Sequence, residues 1–334
     1  MSRVSRKALT FCMLFAASSV AARADLINNW NLVTTGNFYS HSSTEIDGNV
    51  RIGGAMSVDK YNVGIHLGSP YRSQDTLVVG GSVTGEVRVQ TGNAQIGGAG
   101  AQVTAVDGTT GVHTNVGAVQ NIGVQDALEL KADSQAFAAM ATLAANVATL
   151  PSGQPSGALF TVAAVDANKI AVFNINGADL FSSKTQQIDL KLANGMTESS
   201  VGTVVINVTG ASFSMNNGMG NFVGFFTSDW ARSHVIWNFT DATSLDFTNH
   251  EFDGAILAYQ ASLQSGSAPI QGSVFVKEFL GPNGVGQTGE IHLPLFKGFD
   301  PASHPAVPEP ASVTMLGLAA AAGAAWRLKR LRAA

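Results

Sequence analysis

Residues 47–54 read DGNVRIGG, and this stretch carries the pattern that determines the fold. An Asp-Gly pair opens it, aliphatic residues alternate with polar ones, and a pair of glycines closes it. Alternation with a period of two is typical of a β-strand that buries one face. Glycine accepts the positive φ of a tight turn. The stretch therefore predicts a short strand that ends in a sharp corner.

The same pattern recurs along the chain. A glycine followed by alternating aliphatic residues is found again at 85–89, 253–258 and 271–276, and the aliphatic-Gly-Gly ending at 79–81 and 96–98. Strands that return after roughly one coil length, each with one apolar face, predict a right-handed β-solenoid, or β-helix. Because the spacing is irregular, a β-sandwich with glycine-rich hairpins is the alternative.

One segment follows a helical pattern instead. Residues 126–150 contain no glycine or proline, and Leu130, Phe137 and Val147 recur at helical spacing. Asp126 has the character of an N-cap, and Pro151 ends the pattern. The sequence thus predicts one long α-helix at about 126–150, packed alongside the β domain.

Composition limits the possible functions. The chain has 334 residues, only 13% of them charged, and 36 glycines. Residues 25–308 hold 11 Lys and Arg against 22 Asp and Glu, so they lack the basic surplus that a nucleic-acid interface needs. Cys12 is the one cysteine, which excludes a disulfide framework.

The N-terminus has the organisation of a secretory signal. Basic residues come first, an apolar run follows over 8–22, and small residues flank Arg23. Residues 1–24 are therefore predicted to be a signal peptide, which signal peptidase cleaves between Ala24 and Asp25. A retained N-terminal membrane anchor is the alternative.

The C-terminus has three parts after a proline-rich linker at 299–310. Pro308, Glu309 and Pro310 form a short motif, an apolar stretch runs from Ala311 to Trp326, and Arg327, Lys329 and Arg330 follow it. This tail, at 308–334, resembles the PEP-CTERM sorting signal. The resemblance implies processing by an exosortase-type enzyme in a bacterium that has an outer membrane and makes exopolysaccharide. A plain single-pass membrane anchor, with its basic end in the cytoplasm, is the alternative.

No catalytic, cofactor or metal constellation stands out. The seven histidines include no H-x-H or H-x-x-x-H pair, and neither a G-x-S-x-G motif nor a phosphate-binding glycine loop occurs. The sequence therefore predicts no catalytic residues, cofactor or metal site. Carboxylates that could cleave a polysaccharide are the best alternative, namely Asp241, Asp246 and Asp253.

Several blocks in order resemble a known family. They include 45–54, 77–81, the helix, and above all 236–243 (IWNFTDAT) and 252–258 (FDGAILA). Over about 25–298 the chain resembles the choice-of-anchor A domain, a bacterial adhesive module that carries different C-terminal anchors. This implies an exported surface protein, and collagen binding is known for some relatives. The order of elements is also similar to ice-binding-type β-helices.

These observations predict a non-catalytic adhesive or matrix module, exported across the inner membrane and displayed on the cell envelope. The predicted partners are signal peptidase, the sorting enzyme, the inner membrane transiently, and a polymer such as exopolysaccharide or a collagen-like matrix. Exposed tyrosines could stack on sugar rings; the candidates are Tyr39, Tyr61, Tyr71 and Tyr259. A polysaccharide-cleaving enzyme and an ice-binding-like surface protein are the alternatives.

Overall fold

A computed structural model describes residues 25–216, 218–284 and 286–301. The predicted signal peptide, the linker beyond residue 301 and the sorting tail with its apolar helix at 311–326 lie outside these described residues. Within the described ranges, no helix has the length and apolar character needed to cross a membrane.

The first part of the described chain is almost entirely β. It begins with the short helix α1 (Leu26–Asn29), and two 3-10 helices lie at Ser69–Tyr71 and Gly117–Val119. The strands are β1 (Leu32–Thr34), β2 (Phe38–Ile46), β3 (Val50–Ile52), β4 (Met56–Val63), β5 (Asp75–Val79), β6 (Val83–Val89), β7 (Asn93–Ile96), β8 (Val103–Ala105) and β9 (Val112–His113).

The second part opens with a long helix and then returns to strands. Its helices are α2 (Ile122–Ala139), α3 (Gly177–Leu180) and α4 (Asp229–His234), with 3-10 helices at Gly224–Thr227 and Pro282–Gly284. The strands are β10 (Val147–Thr149), β11 (Ser156–Val162), β12 (Ile170–Asn176), β13 (Thr185–Leu192), β14 (Thr203–Thr209), β15 (Ser212–Ser214), β16 (Asn221–Phe222), β17 (Val235–Phe239), β18 (Ser244–Phe247), β19 (Phe252–Asp253), β20 (Ala255–Ser265), β21 (Ile270–Gln271), β22 (Val274–Leu280) and β23 (Ile291–His292).

Parallel strands stack into a solenoid with three faces. The helix face contains, in order, β12, β14, β17, the first parts of β20 and β22, then β1, β3, β5, β7 and β9. The hydroxyl face contains β15, β18, the second parts of β20 and β22, and the first parts of β2, β4 and β6. The third face contains β19, β21, β23, the second parts of β2, β4 and β6, and β8.

The order of coils in space differs from their order along the chain. The last coil docks on the first, since Val274 pairs with Leu32 and Ile291 with Ile46. A separate sheet holds β11, β13 and β16 in parallel, with β10 antiparallel at its edge. The prediction of a mainly β, solenoid-like fold is thus confirmed. The β-sandwich alternative is wrong, because hairpins would pair neighbouring strands in antiparallel fashion.

The predicted bounds of the long helix, 126–150, are wrong at both ends. The helix starts at Ile122, so Asp126 lies in its second turn, where its carboxylate pairs with Arg51 instead of capping. It ends at Ala139, and Val147 belongs to a strand that pairs with β11. Asn146 accepts hydrogen bonds from two backbone N–H groups that follow β11. Strand pairing has therefore overridden a local helical pattern.

Two apolar cores lie on opposite sides of the helix-face sheet. Inward-pointing residues of all three faces fill the solenoid, including Leu32, Trp237 and Val274. The alternate residues of the helix face point outward, where Leu130 and Phe137 of α2 cover them. This second core explains why helix-face strands such as β14 read as continuous apolar runs.

Glycines at the corners let neighbouring coils approach closely. Gly85 has φ of +94°, and a Cβ there would overlap the carbonyl oxygen of Val58. A Cβ on Gly53 would overlap both Thr35 and Gly123, the latter in the first turn of α2. The recurring glycine pairs are therefore points of contact between backbones.

Candidate functional site

The hydroxyl face presents a row of mainly polar side chains in continuous register. Inward positions on this face are apolar and buried, whereas outward positions carry mainly hydroxyl groups. One outward column crosses seven strands, and consists of Ser214, Asp246, Gln264, Leu280, Tyr39, Ser57 and Thr84. A second column consists of Ser212, Ser244, Ser262 and Glu278.

The hydroxyl face is an extended surface, not a pocket. Strands stack about 4.8 Å apart, so a column of seven spans about 29 Å. Ser262 donates a hydrogen bond to Glu278 at 2.7 Å, and Thr248 donates one to Asp246 at 2.6 Å. These bonds keep the carboxylates of Glu278 and Asp246 close to the sheet, beside the hydroxyl groups. The face can therefore make many weak polar contacts along an extended ligand.

The three carboxylates considered for catalysis do not share a site. Asp241 is exposed in the turn after β17 and accepts a hydrogen bond from Thr240. Asp246 points outward on the hydroxyl face, whereas Asp253 belongs to the third face and is buried. The pair of carboxyl groups that glycoside hydrolysis requires is not formed by these residues.

Asp253 has an unusual environment. Its Oδ1 accepts a 2.6 Å hydrogen bond from Nε of Arg232, which also contacts Glu251. Burial raises the pKa of the Asp253 carboxyl to about 6, although Arg232 acts in the opposite direction. The pair joins α4 to the third face, so we interpret it as structural.

This raised pKa predicts a pH-dependent stability. The folded state binds the Asp253 proton more tightly than the unfolded state does. The protonated carboxyl therefore adds to the unfolding free energy in full below about pH 4, and this addition is lost as the pH rises through about 6. A shift of two units corresponds to about 3 kcal/mol. Between pH 4 and pH 7 the unmodified protein should therefore lose up to about 3 kcal/mol of unfolding free energy through Asp253. Asp253→Asn should not show this loss, and urea denaturation at both pH values measures the difference.

Glu251→Gln is the matched control, since Glu251 contacts the same guanidinium from a more exposed position. It should reduce the pH dependence only slightly, because the charge of Glu251 makes the smallest contribution to the raised pKa of Asp253. If unfolding free energy changed with pH in the same way in Asp253→Asn and in the unmodified protein, the assignment of the pH dependence to Asp253 would be wrong.

The four tyrosines lie in different settings. Tyr39 lies on the hydroxyl face and is partly exposed. Tyr61 is fully buried, its hydroxyl bonds to Thr288, and burial raises its pKa, so the expectation that it stacks on sugars is wrong. Tyr71 ends a surface 3-10 helix, and Tyr259 packs against the second core. Tyr39 is therefore the aromatic candidate for ligand contact on the hydroxyl face.

Histidine and carboxylate groups cluster on the third face, where the last coil meets the first. His66 bonds to Asp47 at 2.7 Å, and Asp47 also accepts the N–H of Leu293. Burial raises the pKa of the nearby Glu45, helped by the charges of Glu290 and Asp47. The cluster connects the two ends of the domain. It could not be recognised in the sequence, because its members lie far apart in the chain.

The described residues hold no group of three or more His, Cys, Asp or Glu side chains arranged for a metal ion. Of the predicted processing residues, Asp25 is the first residue described, directly before α1. Outside the described residues lie Ala24, Pro308, Glu309, Pro310, the stretch from Ala311 to Trp326, Arg327, Lys329 and Arg330.

Comparison with family models identifies the family of this chain. Residues 23–293 match the model described as "Putative Ice-binding-like adhesive domain". The chain belongs to this ice-binding-like adhesive family. Residues 306–330 match the PEP-CTERM protein-sorting motif. The predicted resemblance to an adhesive family with a PEP-CTERM tail is thereby confirmed.

An ice-binding protein from an Antarctic ascomycete, Antarctomyces psychrotrophicus, is a structural neighbour. The alignment covers 82% of this chain and 97% of that protein, with 12% sequence identity and a TM-score of 0.28. No curated protein matches the chain. Membership of the adhesive family and the sorting motif together indicate an exported surface protein, which an exosortase-type enzyme processes.

Proposed function

We propose that the protein is a non-catalytic adhesive module that binds an extended polysaccharide through its hydroxyl face. The observation that carries this proposal is the outward column of seven residues in unbroken parallel register. The hydroxyl, carboxyl and amide groups spaced along this column fit a polymer whose own hydroxyl groups repeat along its length. Tyr39, near the middle of the column, supplies a ring for stacking on a sugar.

The exit of the chain supports an outward orientation of this face. Asn28 donates hydrogen bonds to the carbonyl groups of Phe296 and Gly298, and Phe299 N–H donates to Thr203 at the start of β14. The C-terminal segment thus runs along the corner between the third face and the helix face. Since this corner is opposite the hydroxyl face, a tether leaving there would present the hydroxyl face away from the envelope.

The processing steps belong to the same proposal. Signal peptidase cleaves between Ala24 and Asp25, directly before α1, and the linker at 299–310 connects the domain to the sorting tail. The apolar stretch from Ala311 to Trp326 holds the precursor in the inner membrane, with Arg327, Lys329 and Arg330 on the cytoplasmic side. The sorting enzyme then acts at Pro308–Pro310 and leaves the domain on the cell surface or in the matrix.

Substitution of Ser57 by tyrosine tests the binding face. A large ring at position 57, between Tyr39 and Thr84 in the column, would hold a polymer away from the neighbouring residues. We expect Ser57→Tyr to weaken binding at least about tenfold, equivalent to about 1.4 kcal/mol. The protein exported by a producing bacterium is incubated with that cell's exopolysaccharide, collagen and a panel of plant and microbial glycans, and bound protein is measured.

The matched control is Ser43→Tyr, because Ser43 is exposed on the third face of the same strand, β2. It should bind within about twofold of the unmodified protein. Equal losses in both variants would place binding elsewhere. Release of reducing sugars, abolished by Asp246→Asn, would replace the adhesive proposal with the enzyme alternative.

A further inference from the structure

The two ends of the solenoid, its poles, expose strand edges. At the first pole, β12 pairs with β14 on one side, while the opposite side carries the backbone N–H and C=O groups of Val172 and Asn174. At the second pole, β9 pairs with β7, and the groups of Val112 point away from the stack. Within the described residues, no backbone hydrogen bond reaches these outward groups.

The first pole lacks the usual protection of an edge strand. Residues 170–176 read IAVFNIN, without the charged residues or proline that commonly prevent an edge strand from pairing with another chain. A groove of about 410 Å³ runs beside this edge, between Val172–Asn176 and the loop at 142–146. The groove leaves the edge open to an incoming strand.

Exposed valines mark both poles. Val147 lies in β10, the edge strand of the four-stranded sheet at the first pole, and is 50% exposed. Val106 directly follows β8, the outermost strand of the third face at the second pole, and is 62% exposed. Two of the four large hydrophobic side chains exposed in the described residues therefore lie at opposite ends of the stack.

The strand directions fit these edges to each other. All strands of the helix face are parallel, from β12 at one pole to β9 at the other. A second copy, translated along the stack axis, would bring its β9 beside β12 in the same direction. The sheet would then continue from copy to copy, and the valines at the poles would move into the contact.

We propose that copies of this chain associate pole to pole, with β9 of one copy pairing along β12 of the next. Such a contact joins two different surfaces, so it does not close on itself and builds linear filaments. Filament growth would repeat the hydroxyl face at regular intervals, but the association does not depend on what that face binds.

Lysine substitutions at the poles test this proposal on the exported protein. Sedimentation velocity across a wide concentration range should show growing assemblies for the unmodified chain, and electron microscopy should show filaments. Val106→Lys and Val147→Lys should each disable one pole, which leaves the variant unable to grow filaments. Val124→Lys is the control, because Val124 is also 62% exposed but lies on α2, away from both poles.

Mixing the two pole variants gives the sharpest result. A Val106→Lys copy keeps its first pole and a Val147→Lys copy keeps its second, so an equal mixture should form dimers and nothing larger. Each variant alone should remain monomeric. An unmodified chain that stays monomeric throughout, or assemblies that Val124→Lys abolishes while the pole variants do not, would overturn the proposal.

Discussion

Replacing Trp237 by alanine should cost about 3–5 kcal/mol of unfolding free energy, the range for a fully buried tryptophan. Trp237 lies inside the solenoid, 5.6 Å from the ring centroids of both Phe226 and Phe252. Its indole N–H donates to the carbonyl oxygen of Asp253 at 3.1 Å. Alanine would leave a cavity between rigid coils, and the Asp253 carbonyl would lose its donor.

Trp230→Ala is the comparison for this variant. Trp230 is half-buried on α4, where it stacks on His234 with ring centroids 4.9 Å apart. Its removal should cost about 1 kcal/mol, since water can fill the space. Urea denaturation with an unchanged m-value would measure both. Similar losses for the two variants would show that the interior relaxes around Trp237, against the rigid packing described above.

The strand pattern could be predicted because each strand carries its own evidence. Alternation and terminal glycines at 47–54 correctly predict a buried strand and a corner, and repetition predicts stacking. Neither Gly53 nor Gly54 has the predicted positive φ, because glycine is required there by the close approach of neighbouring backbones. The order of coils could not be read in this way. Val274 and Leu32 are equally apolar in sequence, and their pairing depends on α2 carrying the chain across the stack.

The candidate binding face is a second feature that could not be predicted from the sequence. Its outward residues include direct neighbours that are 241 positions apart in the chain, Tyr39 and Leu280, and these two meet only after the last coil docks on the first. Tyr39 could be selected from the sequence as an aromatic residue, but the column around it could not. A solenoid face is visible in sequence only when successive coils are also successive in the chain.

The block Trp237-Asn238-Phe239, quoted above for the family resemblance, serves both cores at once. Trp237 and Phe239 point into the solenoid, whereas Asn238 points outward beneath α2. Its Nδ2 donates to the carbonyl oxygen of Ser134 and to Asn207 Oδ1, and its Oδ1 accepts from the hydroxyl of Ser134. Asn207 in turn donates to the carbonyl oxygen of Phe137, near the end of α2.

This ladder of asparagines attaches the C-terminal half of α2 to the sheet. We expect Asn238→Ala to cost about 3 kcal/mol, because it leaves the buried groups of Ser134 and Asn207 without partners. Hydrogen exchange should show that amide protection is lost first in the C-terminal turns of α2. Asn174→Ala is the matched control, since Asn174 ends the same ladder in an exposed position and bonds only to Asn207 among the described side chains.

The control should cost less than about 1 kcal/mol, because water can replace the exposed amide. Equal costs for the two variants would mean that apolar packing of Leu130 and Phe137 alone holds the helix in place. A large cost for Asn238→Ala with unchanged protection in α2 would instead mean that Asn238 stabilises β17 and its neighbours. The expected result, high cost together with local loss of protection, would establish that α2 is positioned by hydrogen bonds that reach through an otherwise apolar interface.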